Sequence, residues 1–188
     1  MLRYLLFSTL IFMQVGCVSN VLTGANFIYD RHRFYLKLND FQLGASVNRV
    51  LYRDRRFEHE GTIEVAVFKR DILLAGRLSK ASLREEAYRR VAALPGYRRI
   101  FNQIEISAEP INDVSDGFIT TKIRSQILAD SDIDPSQFKI VTFGQIVYIM
   151  GDVVPEQAKK VVQFARETMG VRRVVRLMKY YKLSDKMT

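Results

Sequence analysis

The chain has 188 residues, of which 29 are lysine or arginine and 20 are aspartate or glutamate, giving a formal net charge of +9. Its single cysteine excludes an intrachain disulfide framework. Without the N-terminal apolar segment roughly 170 residues remain, which is enough for one medium domain or two small ones.

The N-terminus has the layout of a secretory signal. Arg3 precedes an apolar run from Tyr4 to Met13, and small residues follow near Gly16. The run is too short for a membrane-spanning helix, which needs about 20 apolar residues. The pattern therefore predicts a signal peptide over residues 1–16.

Cys17 directly follows the predicted signal and resembles the acceptor cysteine of bacterial lipoproteins, which is diacylated and becomes the first residue of the mature chain. Gln14 departs from this acceptor pattern, which usually has an aliphatic residue there. The alternatives are an ordinary signal peptide cut nearby or a buried free cysteine. Because Val18 replaces the aspartate of the common inner-membrane retention signal, the pattern favours a lipid anchor in the outer membrane, facing the periplasm.

The excess of positive charge indicates a polyanionic partner. Nucleic acid would be the first expectation for a cytosolic protein, but an exported chain rarely meets any. Anionic lipid head groups are the polyanion of a bacterial envelope. We therefore expect a phosphatidylglycerol-like membrane surface as the partner, and no nucleic acid.

The chain contains two successive units with the same predicted order, α-β-β-α-β. Apolar residues recur at helical spacing in the helices, and β-rich runs lie between them. The predicted elements of the first unit are a helix in 39–54, strands in 62–69 and 72–76 joined at Arg70-Asp71, a helix in 80–94 and a strand in 97–106. Those of the second unit are a helix in 115–132, strands in 138–143 and 146–151, a helix in 155–169 and a strand in 171–182.

Glycines punctuate both units at matching places. Gly76 and Gly151 are predicted to end the second strands, and Gly96 and Gly170 to end the second helices, where a left-handed residue is favoured. The pattern predicts an α+β fold of two small tandem domains, each a three-stranded sheet covered by helices. The predicted boundaries are an N-terminal segment 17–38, a first domain 39–107, a linker 108–114, a second domain 115–183 and a tail 184–188.

The helix that opens the second unit has two apolar residues away from its apolar face. At about 100° per residue, Ile119, Ile123 and Ile127 share one face, and we expect them to pack on the sheet. Ser115 and Asp116 are candidate N-caps. The opposite face carries Phe118, Thr121, Ser125 and Leu128, with Lys122 and Arg124 on either side.

This outer stripe is a candidate lipid-binding surface, because two apolar residues could enter a bilayer while the flanking cations reach lipid phosphates. The alternative is that Phe118 and Leu128 pack against the first domain or the linker. The segment "RDRRFEHE" is interpreted as a charged turn. A basic cluster on or beyond the last strand is interpreted as a solvated strand face, with a lipid site as the alternative; it consists of Arg172, Arg173, Arg176, Lys179 and Lys182.

Catalytic signatures are missing from the sequence. His32 and His59 lie far apart in charged surroundings, and no histidine cluster has the spacing of metal ligands. No glycine-rich phosphate loop occurs. We therefore expect a protein without enzymatic activity, cofactor or metal.

The residues of the second unit resemble a known family. The stretches "SDGFITTKIRSQIL", "YIMGDVVPEQAKKVV" and "MGVRRVV" are similar to the dual-BON outer-membrane lipoproteins of the DolP family, and the resemblance extends over essentially the whole chain. It implies two BON domains with mixed three-stranded sheets, in an outer-membrane lipoprotein that supports envelope integrity. It also implies that the first helix of the second domain binds anionic phospholipid, with Phe118 at an aromatic position, Leu128 at a leucine position and Gly117 as a departure.

Two functions are consistent with these observations. The first is an envelope lipoprotein that binds anionic phospholipid through Phe118, Thr121, Lys122, Arg124, Ser125 and Leu128. The second is a periplasmic interaction scaffold, in which the same stripe contacts another envelope protein or a second copy of the chain.

Overall fold

A computed structural model describes residues 24–108 and 115–181. The predicted signal peptide, Cys17, nearly all of the predicted linker and the tail lie outside these ranges. The chain divides into one unit of residues 1–37 and a second unit of residues 38–188 that holds both repeats.

The described elements are five helices, six strands and one short 3-10 helix, Pro135–Gln137. The helices are α1 (Gly24–Tyr52), α2 (Arg56–His59), α3 (Ala81–Ala92), α4 (Asp116–Ala129) and α5 (Pro155–Glu167). The strands are β1 (Gly61–Phe68), β2 (Asp71–Leu78), β3 (Arg99–Ile106), β4 (Phe138–Phe143), β5 (Ile146–Val153) and β6 (Arg173–Tyr180). The α+β class and the repeated α-β-β-α-β order are thus confirmed.

Three local predictions are wrong. Helix α1 begins at Gly24 instead of near Asp40, because no glycine or proline interrupts the chain from Ala25 to Leu43. The segment read as a charged turn contains α2, which buries Phe57 in the first core. Gly76 and Gly151 lie inside their strands instead of ending them. A Cβ at Gly76 would stand 2.2 Å from the carbonyl oxygen of Thr62, so only glycine permits this close pairing of β1 with β2.

Each repeat forms its own mixed sheet. β1 and β2 form an antiparallel hairpin, and β3 joins β2 in parallel after the crossover through α3; β4, β5 and β6 repeat this arrangement with α5 as the crossover helix. The hairpin turns lie at Lys69–Arg70 and Gly144–Gln145, all four of which have positive φ, as a tight two-residue turn requires. The first turn therefore lies one residue before the predicted Arg70-Asp71.

One face of each sheet is covered by the helices of the same repeat. In the first repeat Leu43, Val47 and Leu51 of α1 pack with α3 on β1, β2 and β3. In the second repeat the isoleucines of α4 pack with α5 on β4, β5 and β6. Both helix-facing cores agree with the predicted apolar periodicity.

The other faces of the two sheets pack against each other, which the sequence did not predict. Their shared core consists of Ala66, Leu73, Ala75, Val141, Phe143, Ile146, Tyr148, Met150 and Leu177. The central strands β2 and β5 are consequently buried on both faces for most of their length. The repeats form four layers, helix–sheet–sheet–helix, with the sheets in the middle.

Ion pairs join the two repeats at the rim of this core. Nη2 of Arg98 lies 2.6 Å from the buried carboxylate of Asp71 and 2.8 Å from Asp152 in the second repeat. Arg173 of β6 lies 2.6 Å from Glu105 of β3. Burial raises the pKa of Asp71, but hydrogen bonds from Arg98 and Arg99 lower it by more, so this pKa lies below its ordinary value.

Among the described helices, none is both long enough and apolar enough to cross a bilayer. Within the same ranges, no group of three or more His, Cys, Asp and Glu side chains could hold a metal ion.

Candidate functional site

Helix α4 is fixed to the second repeat by one face. Ile119, Ile123 and Ile127 are buried in the core of that repeat, with at most 3% of their surface exposed. Ser115 makes no side-chain cap, so the predicted N-cap is wrong at this residue. Asp116 points to the β4–β5 turn instead, where it accepts hydrogen bonds from the backbone N–H groups of Gly144 and Gln145.

The opposite face of α4 leaves two large apolar side chains in solvent. Phe118 is 63% exposed and Leu128 is 72% exposed. The first repeat packs on the face of the second sheet that points away from α4. Its strand β1 approaches α4 beside Thr121 and Arg124 but leaves Phe118 and Leu128 exposed. The alternative in which the first domain covers Phe118 and Leu128 is therefore not what the structure shows.

The polar residues between them complete the predicted stripe. Thr121 is exposed, and the hydroxyl of Ser125 donates to the carbonyl oxygen of Lys122 at 2.8 Å. The side chain of Lys122 is exposed and, among the residues that the structure describes, forms no ion pair. Its ammonium group is available to a ligand beside Phe118.

Arg124 lies on the other side of the stripe, and its guanidinium, unlike the ammonium group of Lys122, is held by a hydrogen bond. Its Nη2 donates to the carbonyl oxygen of Ile140 in β4 at 2.9 Å. The guanidinium therefore lines a polar groove of about 520 Å³ between α4 and strands β1 and β4, together with Glu64 and Lys139. Burial and the nearby Asp116 raise the pKa of Glu64, which Lys139 partly offsets.

A third exposed apolar residue, which the sequence pattern does not indicate, lies beside α4. Met169 is 84% exposed in the segment between α5 and β6. Its neighbours on both sides approach α4: a Cβ at Gly170 would lie 3.4 Å from Cδ1 of Ile119, and Oγ1 of Thr168 lies 3.5 Å from Oε1 of Gln126. The sequence pattern placed Met169 in the preceding helix, which ends at Glu167.

A family model described as the BON domain matches residues 39–108 and again residues 115–181. The chain belongs to the BON-domain family. The two BON domains correspond to the two structural repeats, and the resemblance to dual-BON proteins of the DolP group is confirmed.

Two curated proteins resemble the dual-BON chain over most of their length. The "21 kDa hemolysin" of Actinobacillus pleuropneumoniae is 29% identical over 146 residues, covering 77% of this chain and 75% of the relative. The "Outer membrane lipoprotein DolP" of Haemophilus influenzae is 23% identical over 182 residues, covering 94% of each. Among solved structures, a chain of CdsD from the Chlamydia trachomatis type III secretion system aligns with a TM-score of 0.33 and 10% identity, over 78% of this chain and 95% of the solved chain.

The two BON domains differ at the stripe. With Asp40 and Asp116 as equivalent positions, Gln42 of the first domain corresponds to Phe118, and Tyr52 corresponds to Leu128. The hydroxyl of Tyr52 donates to the carbonyl oxygen of Ile63 at 2.7 Å, which holds this ring against its own sheet. At these two equivalent positions the outward apolar pair therefore belongs to the second BON domain, whereas the first domain exposes Phe41 at the preceding position.

Proposed function

We propose that the outer face of α4 binds the surface of an anionic phospholipid membrane. The observation that carries this proposal is the exposure of Phe118 and Leu128 on one helix face, with Lys122 uncommitted beside them. The two apolar side chains enter the region between head groups and acyl chains, and the cations lie near the lipid phosphates. Met169 adds an apolar contact on the Gln126 side of the helix.

The magnitudes indicate a weak and reversible contact. Burying a Phe or Leu side chain contributes about 1.5–3 kcal/mol each. A cation close to an anionic bilayer adds about 1 kcal/mol, and salt screens that contribution. The α4 stripe alone would therefore select lipid composition without giving a long residence time.

A lipid anchor at Cys17 would supply the residence that the stripe lacks. A tethered domain meets the bilayer at a high effective concentration, so a weak second contact becomes effective. We propose a chain anchored in the outer membrane, facing the periplasm, where it supports envelope integrity. The similarity to the outer membrane lipoprotein DolP of Haemophilus influenzae supports this placement.

Vesicle flotation with matched variants tests the lipid proposal. The chain from Val18 onward is expected to float with vesicles containing phosphatidylglycerol. With vesicles of phosphatidylcholine alone, it is expected to remain at the bottom of the gradient. Phe118→Glu is expected to lower vesicle partitioning at least about tenfold, because it removes an apolar contact and adds a repelled charge. Phe41→Glu is the matched control, since Phe41 is 75% exposed on α1 of the first domain.

The circular dichroism and melting temperature of both variants should match those of the parent, since both side chains are exposed. Equal losses of flotation for Phe118→Glu and Phe41→Glu would contradict a site on α4. If Phe118→Glu floats normally but loses binding to a second copy or to another envelope protein, the scaffold alternative is supported instead.

Cys17→Ala in the complete chain tests the anchor separately. We expect the variant to leave the membrane fraction and to lack the mass of an acyl-glyceryl group. An unchanged membrane fraction would refute the lipid anchor at Cys17. It would not bear on the proposed lipid contact of α4, which the flotation experiment tests.

A further inference from the structure

A second open groove lies on the other side of α5 from α4. It has a volume of about 570 Å³, within the range of ligand sites, and only α5 and β6 contribute to it. Its apolar lining consists of Pro155, Ala158, Val162 and Tyr180. None of the α4 stripe residues lines it, so it is a separate surface.

Cations frame this groove. Lys159 and Arg166 of α5 and Arg176 of β6 line it, and none of the three forms an ion pair among the described residues. Its single acid, Glu167, accepts a hydrogen bond from the amide of Gln163 at 2.8 Å. The lining thus combines an apolar floor with an excess of positive charge, which favours a ligand that is both apolar and anionic.

The groove runs along a free strand edge. In the described sheet β4-β5-β6, strand β6 pairs only with β5. Val174, Arg176, Met178 and Tyr180 are spaced by two along β6 and therefore share one face of the strand. Val174 and Met178 pack in the core beneath α5, so this is the face that α5 covers. The outer edge of β6 therefore presents backbone N–H and C=O groups directly beside the groove.

We propose that the α5–β6 groove binds an extended acidic segment of a partner protein, which adds a strand to the edge of β6. Every second side chain of that segment faces the groove, where its carboxylates meet Lys159, Arg166 and Arg176 and its methylene groups cover the apolar floor. Strand addition uses main-chain hydrogen bonds for affinity and side-chain contacts for specificity. Since β6 has eight residues, a segment of about 26 Å can pair along it.

Two other occupants fit less well. A second copy pairing through the same edge would bring two β6 strands together, and each carries Arg173, Arg176 and Lys179 without an acidic residue. Like charges directly opposite each other destabilise paired strands. A phospholipid could fill the groove and meet its cations, but it cannot pair regularly with the strand edge.

Fluorescence anisotropy with designed peptides tests this groove. The full-length protein in a neutral detergent is titrated into fluorescein-labelled (Glu-Val)4, with (Lys-Val)4 and a (Glu-Val)4 peptide N-methylated at alternate residues as probes. We expect saturable binding of (Glu-Val)4 only. Arg176→Glu and Lys159→Glu are each expected to raise its Kd at least about fivefold, because each replaces an attraction by a repulsion.

Arg53→Glu is the matched control, because Arg53 is exposed and lies outside the groove; it should leave the Kd unchanged. Equal binding of the acidic and basic peptides, no binding, or full binding of the N-methylated peptide would overturn the proposal. Loss of vesicle flotation in Arg176→Glu, with α4 intact, would assign the groove to lipid and also overturn it. Retained flotation together with lost peptide binding supports a site that is independent of the α4 stripe.

Discussion

Asp116 and Asp40 make the same pair of hydrogen bonds in the two BON domains. Asp116 accepts from the backbone N–H groups of Gly144 and Gln145 at 2.6 and 2.8 Å, and Asp40 accepts from those of Lys69 and Arg70 at 2.7 and 2.8 Å. Each carboxylate ties the first helix of its domain to the β-hairpin turn. In the second domain this contact fixes the beginning of the helix that carries Phe118.

Asp116→Ala should destabilise the second domain by about 2–4 kcal/mol, because it leaves two N–H groups of a strained turn without their charged acceptor. Urea unfolding measures the change in the free energy of unfolding. Asp132→Ala is the matched control, since the side chain of Asp132 is 75% exposed and, among the described residues, pairs only with Lys160. A loss in Asp116→Ala no larger than that of the control would contradict the structural role of Asp116.

Asp71→Asn should lower the free energy of unfolding at neutral pH and make that free energy less dependent on pH in the acid range. The folded pKa of Asp71 is depressed, so its ionised form stabilises the fold above the unfolded pKa of about 3.9. That contribution disappears as the pH falls through the lower, folded pKa. At pH 7 we expect a loss of about 1–3 kcal/mol from weakened contacts with Arg98 and Arg99.

Thermal unfolding of Asp71→Asn and the parent between pH 7 and pH 2 gives the test. The two stability curves should converge as the pH falls below about 4. A constant difference over the whole range would show that the carboxylate charge of Asp71 has no part in stability.

Gly117→Ala should stabilise α4 without impairing the lipid contact. Gly117 is exposed in the first turn, and a Cβ there would meet no atom within 4 Å. Replacing an unstrained helical glycine by alanine adds about 0.5–1 kcal/mol, mainly by restricting the unfolded chain. Urea unfolding should show this gain and flotation should be unchanged or tighter; a destabilised variant would contradict the helical conformation of Gly117.

The two BON domains should unfold together. The chain has no tryptophan, so Tyr88→Trp in the first domain and Phe118→Trp in the second provide separate fluorescence probes. Because the sheets share one apolar core, both probes should give the same urea midpoint. Two separate midpoints would contradict a shared cooperative core.

The sequence alone predicts the features of the fold that depend on local apolar periodicity. The isoleucines of α4 recur at helical spacing, so their burial and the outward direction of Phe118 and Leu128 followed from the spacing alone. The sequence does not indicate the length of α1, because Asp40 resembles a helix start although its carboxylate accepts hydrogen bonds from a distant turn.

The sheet-to-sheet contact required tertiary information. The apolar runs of β2 and β5, which include Leu73 and Met150, are buried on both faces. A continuous apolar run indicates that a strand is covered on both sides, but it does not identify what covers it. The role of Arg176 was missed for a similar reason, since the groove that it frames exists only once α5 packs over β6.

The face-to-face sheets also bear on dissecting this protein. A fragment ending before Ser115, or beginning there, would present Leu73 or Met150 to water along with their apolar neighbours. Each domain covers the apolar outer sheet face of the other. Removing either domain would therefore expose that face and favour aggregation of the remaining one.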